Sequence, residues 1–97
     1  MRVTDPEENE VRALHSLVDF GGKRVLEIGC GDGRLTWRYA GEAASVTAVD
    51  PVATEIESAI AATPASLRRR VRFRVGDATT QGFRPGAYDL AILSYSL

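Results

Sequence analysis

The sequence predicts an α/β fold, a doubly wound parallel sheet in three αβα layers, and three observations predict it. Apolar runs of strand length alternate with segments of helical periodicity, with no tight hairpin signal between the first three strands. One of those runs, Val25–Ile28, meets three glycines spaced two apart, Gly29, Gly31 and Gly33. Polar residues then gather just past the ends of the predicted strands, which is where ligands bind in such sheets.

The elements follow in order. Asp5-Pro6-Glu7-Glu8 reads as a helix start, with Asp5 as N-cap, Pro6 at the first helical position and Glu8 three residues after the cap. Val11, Leu14, Leu17 and Val18 recur at helical spacing, so a helix to about Phe20 has one apolar face, and Gly21-Gly22 ends it. His15 lies near the edge of that stripe and reads as a packing residue. The strand Val25–Ile28 is almost wholly apolar, as a parallel strand covered on both faces must be. Beyond the glycines, Leu35, Tyr39 and Ala43 form the sheet-facing stripe of a second helix, with Trp37 off that stripe. Ser45–Asp50 is a second, β-branched strand ending in an acid before Pro51. Thr54–Ala62 reads as a helix with Ile56, Ala59, Ile60 and Thr63 on one face, stopped by Pro64. Val71–Val75 alternates apolar with basic and predicts a strand with one exposed face. Tyr88–Leu93 is the fourth strand, after a loop from Gln81 to Ala87.

Length and composition set the bounds. Ninety-seven residues make one domain at most, and here a single partial one: residues 1–22 a helix and its connection, residues 23–97 a ligand-binding half. A net charge of −1 gives no general electrostatic case for nucleic acid. One cysteine makes no internal disulfide, no apolar run approaches the ~20 residues of a membrane span, and the acidic start is no signal peptide. The cytoplasm is the expected compartment.

The candidate site follows from the glycines. Alternate glycines strip Cβ atoms from one side of a turn, so a ligand can lie against the main chain. Asp50 follows Gly31 at about the 20-residue interval at which an acid meets a ribose, and a carboxylate has acceptor capacity for both hydroxyls of the diol. Its purely structural alternative is a helix cap before Pro51. Asp77 either accepts from the exocyclic amine of an adenine or caps a turn. Glu27, inside an apolar strand, must be satisfied by loop N–H groups, by a ligand's ammonium, or by both. Cys30 reads as a small loop residue without a nucleophilic role. Arg68-Arg69-Arg70 reads as a solvated helix end, cations near the negative end of its dipole, with a phosphate-binding patch as the alternative.

The glycine spacing is not that of a dinucleotide site, because Arg34 stands where a third glycine of G-x-G-x-x-G belongs. It is G-x-G-x-G with an acid two residues ahead, and here the chain resembles the class I S-adenosylmethionine-dependent methyltransferases. Glu27–Gly33 is similar to that family's first motif, Val46–Asp50 to its second, Gly76-Asp77-Ala78 to its third and Tyr88–Leu97 to its fourth. The resemblance implies a Rossmann-like fold of which only the first four strands are present, with S-adenosylmethionine as cofactor. It further implies that Gly29, Cys30, Gly31 and Gly33 line the methionine and sugar, with Glu27 ordering that loop or its ammonium contacts. Asp50 would hold the ribose, Val52 pack on the adenine and Asp77 accept from its amine beside the Ala78 backbone. Ser94 and Tyr95 would lie near the methionine amino group and the transferable methyl.

No catalytic base and no metal site is legible, and the methyl acceptor is unidentified. In the family's strand order the fourth strand would be an exposed edge here, open to self-association, as in a fragment of a longer protein. Two other readings stand beside the methyltransferase: a non-catalytic nucleotide-binding or assembly module, and a nicotinamide-dependent oxidoreductase fragment.

Overall fold

The computed structural model describes residues 19–76 and 86–94 in full, and residues 2–4 through their backbone. The predicted helix over residues 5–18, His15, and the residues 77–85 and 95–97 lie outside the described residues, so Asp77, Ala78 and Tyr95 are not placed.

Five parallel strands form one sheet in the order β1-β5-β2-β3-β4: β1 Arg2–Thr4, β2 Arg24–Ile28, β3 Ser45–Asp50, β4 Val71–Val75 and β5 Leu90–Leu93. The chain steps outward from β2 through β3 to β4, then returns to the other side of β2 as β5. That reversal between β2 and β5 is the switch point beyond which such sheets bind ligands. The last four strands are the four that the sequence predicts, and the doubly wound topology is as expected.

The fifth strand is a correction. Arg2–Thr4 pairs in parallel with β5, Arg2 opposite Leu90, Val3 opposite Ala91 and Thr4 opposite Ile92. Three residues of mixed polarity carry too little periodicity to announce a strand. The predicted fourth strand is therefore an interior strand, and self-association through its open edge loses its premise, since β1 holds its ladder hydrogen bonds.

Two helices are described, α1 Thr36–Tyr39 and α2 Ala53–Ala62. Both pack on one face of the sheet, where Tyr39 and Ile56 join Val25, Val46, Val71, Leu90 and Ile92. Leu26, Ile28, Val49 and Ala91 form a second buried cluster on the other face. The helix predicted from Leu35 through Ala43 shrinks to one turn, although Tyr39 and Ala43 are both buried as its stripe requires. In α2 the buried face is Ile56 and Ala59, while Ile60 is 57% exposed rather than packed. Phe20 is buried and stacks on Tyr39 with ring centroids 4.5 Å apart. No helix among the described residues is long and apolar enough to cross a membrane.

The entries of β2 and β5 are pinned together by an ion pair. Asp89 accepts from the Arg24 backbone N–H at 2.9 Å and from its guanidinium at 2.9 and 3.1 Å. These bonds hold the Asp89 carboxyl well below the usual carboxylate range. A depressed folded-state pKa contributes stability above the unfolded value of about 4, lost as the pH falls further. Asp89→Asn is thus expected to melt below wild type at neutral pH, with the gap closing in acid. Thermal melts from pH 7 to 3 check this, and a gap as large at pH 3 as at pH 7 would mean that the ion pair does not carry the difference.

Candidate functional site

The site is assembled by strand register. Ile28 pairs with Val49 on one side and with Leu93 on the other, and Asp50 pairs with Val75. Gly29, Asp50 and Ser94 therefore leave the sheet at one level. The glycine turn is seated on β3, as the N–H groups of Gly29 and Cys30 both donate to the Val49 carbonyl at 2.8 and 3.1 Å. Gly29, Gly31 and Gly33 all have positive φ, at 84°, 57° and 90°, which side-chain-bearing residues rarely adopt.

Those glycines do different things. At Gly31 a Cβ would meet Glu55 Oε2 at an ordinary contact distance of 3.6 Å, so the positive φ rather than crowding is what calls for glycine there. At Gly33 a Cβ would stand 2.8 Å from the Trp37 ring. Gly33 is thus required by packing: Trp37 lies over it and meets Phe73 edge-on at 5.5 Å. The same contact accounts for Trp37, which the helical stripe leaves unassigned.

Asp50 bridges the turn and the start of α2. Its Oδ2 accepts from the Gly31 N–H and its Oδ1 from the Val52 N–H, both at 2.9 Å. A carboxylate has about four lone-pair sites, so one on each oxygen remains, enough for a vicinal diol. The side chain is 8% exposed, at the rim. Val52 beside it is half exposed and offers an uncovered apolar surface.

Glu27 corrects the sequence reading. Neither loop N–H groups nor a ligand is needed to satisfy it, because three hydroxyls already do. Thr36 Oγ1 and Tyr39 OH donate to Oε1 at 2.7 and 2.6 Å, and Ser94 Oγ donates to Oε2 at 2.6 Å. The carboxyl is wholly buried, and desolvation raises its pKa even though the hydroxyl bonds oppose the shift. Ser94 also lies 3.3 Å from the Gly29 carbonyl, and its N–H donates to the Ile28 carbonyl at 2.8 Å, so the end of β5 is tied to the glycine turn. Thr36 and Tyr39 escape the sequence reading; a threonine and a tyrosine at i and i+3 beyond a buried acid are the signal that was available. Burial, together with the Glu27 and Asp50 carboxylates, pushes the Cys30 thiol far above its ordinary value, which keeps it protonated and unreactive. Among the described residues no group of three or more His, Cys, Asp or Glu is placed to hold a metal ion.

The sequence pattern of a family described as a methyltransferase domain matches residues 25–97. The chain belongs to the class I S-adenosylmethionine-dependent methyltransferases. It is 37% identical over 79 residues to the magnesium-protoporphyrin O-methyltransferase of Rhodobacter capsulatus, covering 81% of this chain and 34% of that one. Its fold matches an S-adenosylmethionine-dependent methyltransferase from Mesorhizobium loti with a TM-score of 0.75 and 25% identity, over 93% of this chain and 41% of that one. It also matches phosphoethanolamine N-methyltransferase 1 of Haemonchus contortus, solved with phosphoethanolamine and S-adenosylhomocysteine. There the TM-score is 0.71 at 26% identity, over 84% of this chain and 17% of that one. The chain spans about a third or less of the length of the curated relatives it matches. S-adenosylmethionine is the family's cofactor.

Two outcomes test this construction. A raised folded-state pKa at Glu27 means that stability fades as the pH climbs from about 4 towards neutrality. Glu27→Gln, which keeps an acceptor for Thr36 and Tyr39, is expected to lose none of it. The difference in melting temperature, variant minus wild type, should grow between pH 4.5 and 8; a constant difference would mean that Glu27 titrates like an exposed carboxylate. Gly33→Ala should cost about 1–3 kcal/mol for a strained positive φ, and should also shift the fluorescence of Trp37, the chain's only tryptophan. An unchanged emission spectrum would remove Trp37 from contact with Gly33.

Proposed function

We propose that this chain is the cofactor-holding half of an enzyme that moves the methyl group of S-adenosylmethionine to an acceptor. The observation that carries the proposal is the Asp50 clamp. One carboxylate holds the Gly31 and Val52 N–H groups, keeps an acceptor site on each oxygen, and stands beside backbone that no Cβ obstructs.

In this reading Asp50 takes the two ribose hydroxyls, and the exposed Val52 side chain covers the adenine. The backbone of Gly29, Cys30 and Gly31 lies along the sugar and methionine, with Ser94 at the amino-acid end. Asp77, Ala78 and Tyr95 keep the roles that the family resemblance implies. Glu27 acts beneath the loop by holding Ser94 and α1 in place, rather than as an exposed countercharge. Bound there, the cofactor supplies a methyl on a sulfonium, which an in-line nucleophile takes while the sulfur leaves as the thioether of S-adenosylhomocysteine. What this chain contributes is position, since a fixed ribose and methionine aim the methyl along one line. A base is needed only where the acceptor must lose a proton. The acceptor, small molecule or macromolecule, would be met by residues outside this sheet.

Asp50→Asn should weaken S-adenosylhomocysteine binding by about 1.5–3 kcal/mol, the worth of hydrogen bonds to a charged group. Titration calorimetry on variants that melt like wild type checks this, and unchanged affinity would remove Asp50 from the ribose. Gly31→Val should abolish binding, because a β-branched residue is forced to positive φ where the ligand lies.

A further inference from the structure

Residues 68–74 carry five of the chain's twelve cationic Lys and Arg side chains, and no acid occurs between Glu57 and Asp77. The net charge of −1 conceals this concentration. Arg70 donates to the Gly41 carbonyl. Arg68, Arg69, Arg72 and Arg74 are exposed, and among the described residues their side chains have no hydrogen-bond or ion-pair partner.

They follow one another along the turn and the strand it leads into. Arg68 and Arg69 lie in the turn leading into β4, and β4 is the terminal strand of the sheet. Arg72 stands opposite Thr47 and Arg74 opposite Val49, on the same face of the strand and about 6.6 Å apart along it. Phe73, between them, packs on the opposite face with Trp37. The ridge runs up β4 towards Asp50, whose strand partner Val75 follows Arg74 directly.

Two ordinary explanations fall short. Helix α2 ends at Ala62, and a 3₁₀ turn over Ala65–Leu67 separates it from the arginines, so they do not neutralise its C-terminal carbonyls. Blunting an edge strand against pairing takes a charge or two. Arg72 and Arg74 are instead like charges on one face, preceded by Arg68 and Arg69, and such a concentration of exposed cations favours an anionic partner.

We propose that the ridge binds the phosphate backbone of a single-stranded nucleic acid, holding it alongside the ribose-binding rim. The planar guanidinium fork suits phosphate oxygens, and the i, i+2 spacing on a strand is close to that of successive phosphates in an extended single strand. A protein interface would need an apolar anchor at its centre. Among the described residues the exposed large apolar side chains are Val52, Ile60 and Val75, and Val75 lies on the other face of β4. Among the described residues no aromatic is exposed there for base stacking either, so binding is to the backbone and tolerant of sequence. The inference is independent of the cofactor assignment.

The test is fluorescence anisotropy of a labelled 12-nucleotide oligouridylate with the intact protein, without cofactor, from 25 to 200 mM KCl. Four phosphate contacts predict that log K falls with log salt at a slope of about −2.8, about −0.7 for each contact to a single strand. Replacing Arg68, Arg69, Arg72 and Arg74 together by Gln should lower affinity at least tenfold at 50 mM salt and flatten the slope. Replacing the same four by Lys should keep the slope, and Arg38→Gln on α1 should change nothing. Unchanged melting curves establish that the variants are folded. Absence of binding at 25 mM salt, equal binding by the Gln variant, or equally tight binding of a labelled polyglutamate of the same charge would overturn the proposal.

Discussion

Glu27 sits where a carboxyl group is most expensive, in the middle of a parallel strand with no exposed surface. Three hydroxyls make that position tenable, and each comes from a place that must be fixed for the site to exist. Thr36 and Tyr39 belong to the single helical turn after the glycines, and Ser94 to the end of β5. The acid is therefore a node joining β2, α1 and β5 across the switch point. Removing it would strand the buried Thr36 and Tyr39 hydroxyls, each at a cost of about 1–3 kcal/mol when left without a partner. Desolvation still outweighs the three bonds and raises its pKa, and the node holds by the geometry of those bonds.

Asp50 shows what a similar side chain does at the rim. It too accepts from more than one donor, but these are the backbone N–H groups of Gly31 and Val52, and the residue is 8% exposed where Glu27 is not exposed at all. One acid is spent wholly on the architecture, while the other shares its oxygens between the turn and whatever approaches it. The division follows from depth alone. Glu27 lies one register level below Ile28, and Asp50 one level above it.

Much of this was legible in the sequence. The β2 run, the glycine turn, the β-branched β3 with its terminal acid and the alternating β4 all announce themselves by composition and period, and Asp50 by its distance from Gly31. What periodicity hides is the far end of a side chain. Tyr39 reads correctly as a buried ring, yet nothing in its spacing says that its hydroxyl meets Glu27 at 2.6 Å. Gly33 reads as a ligand-facing glycine, whereas its missing Cβ makes room for Trp37 four residues on. Strand β1 fails to register because Arg2–Thr4 is too short and too mixed to carry a pattern, and its existence depends on the edge that β5 offers it.

The arginine ridge and Asp50 belong to one consequence of the same register. In a parallel sheet, partners across strands share a face, so a choice made on β2 is repeated outward on β3 and β4. Val25, Val46 and Val71 share the face under α2, and Glu27, Ala48 and Phe73 continue it. The alternate row begins as Leu26 and Ile28, passes through Thr47 and Val49, and ends as Arg72 and Arg74. Along that row burial falls away towards the terminal strand, and the side chains change from aliphatic to cationic as it does. A slip of one residue in β4 would bury two arginines under α2 and expose Val71 and Phe73, so the charge pattern itself fixes the strand's pairing. The arginines of β4 thus specify its register, while four exposed arginines over residues 68–74, without a side-chain partner among the described residues, exceed what register alone requires.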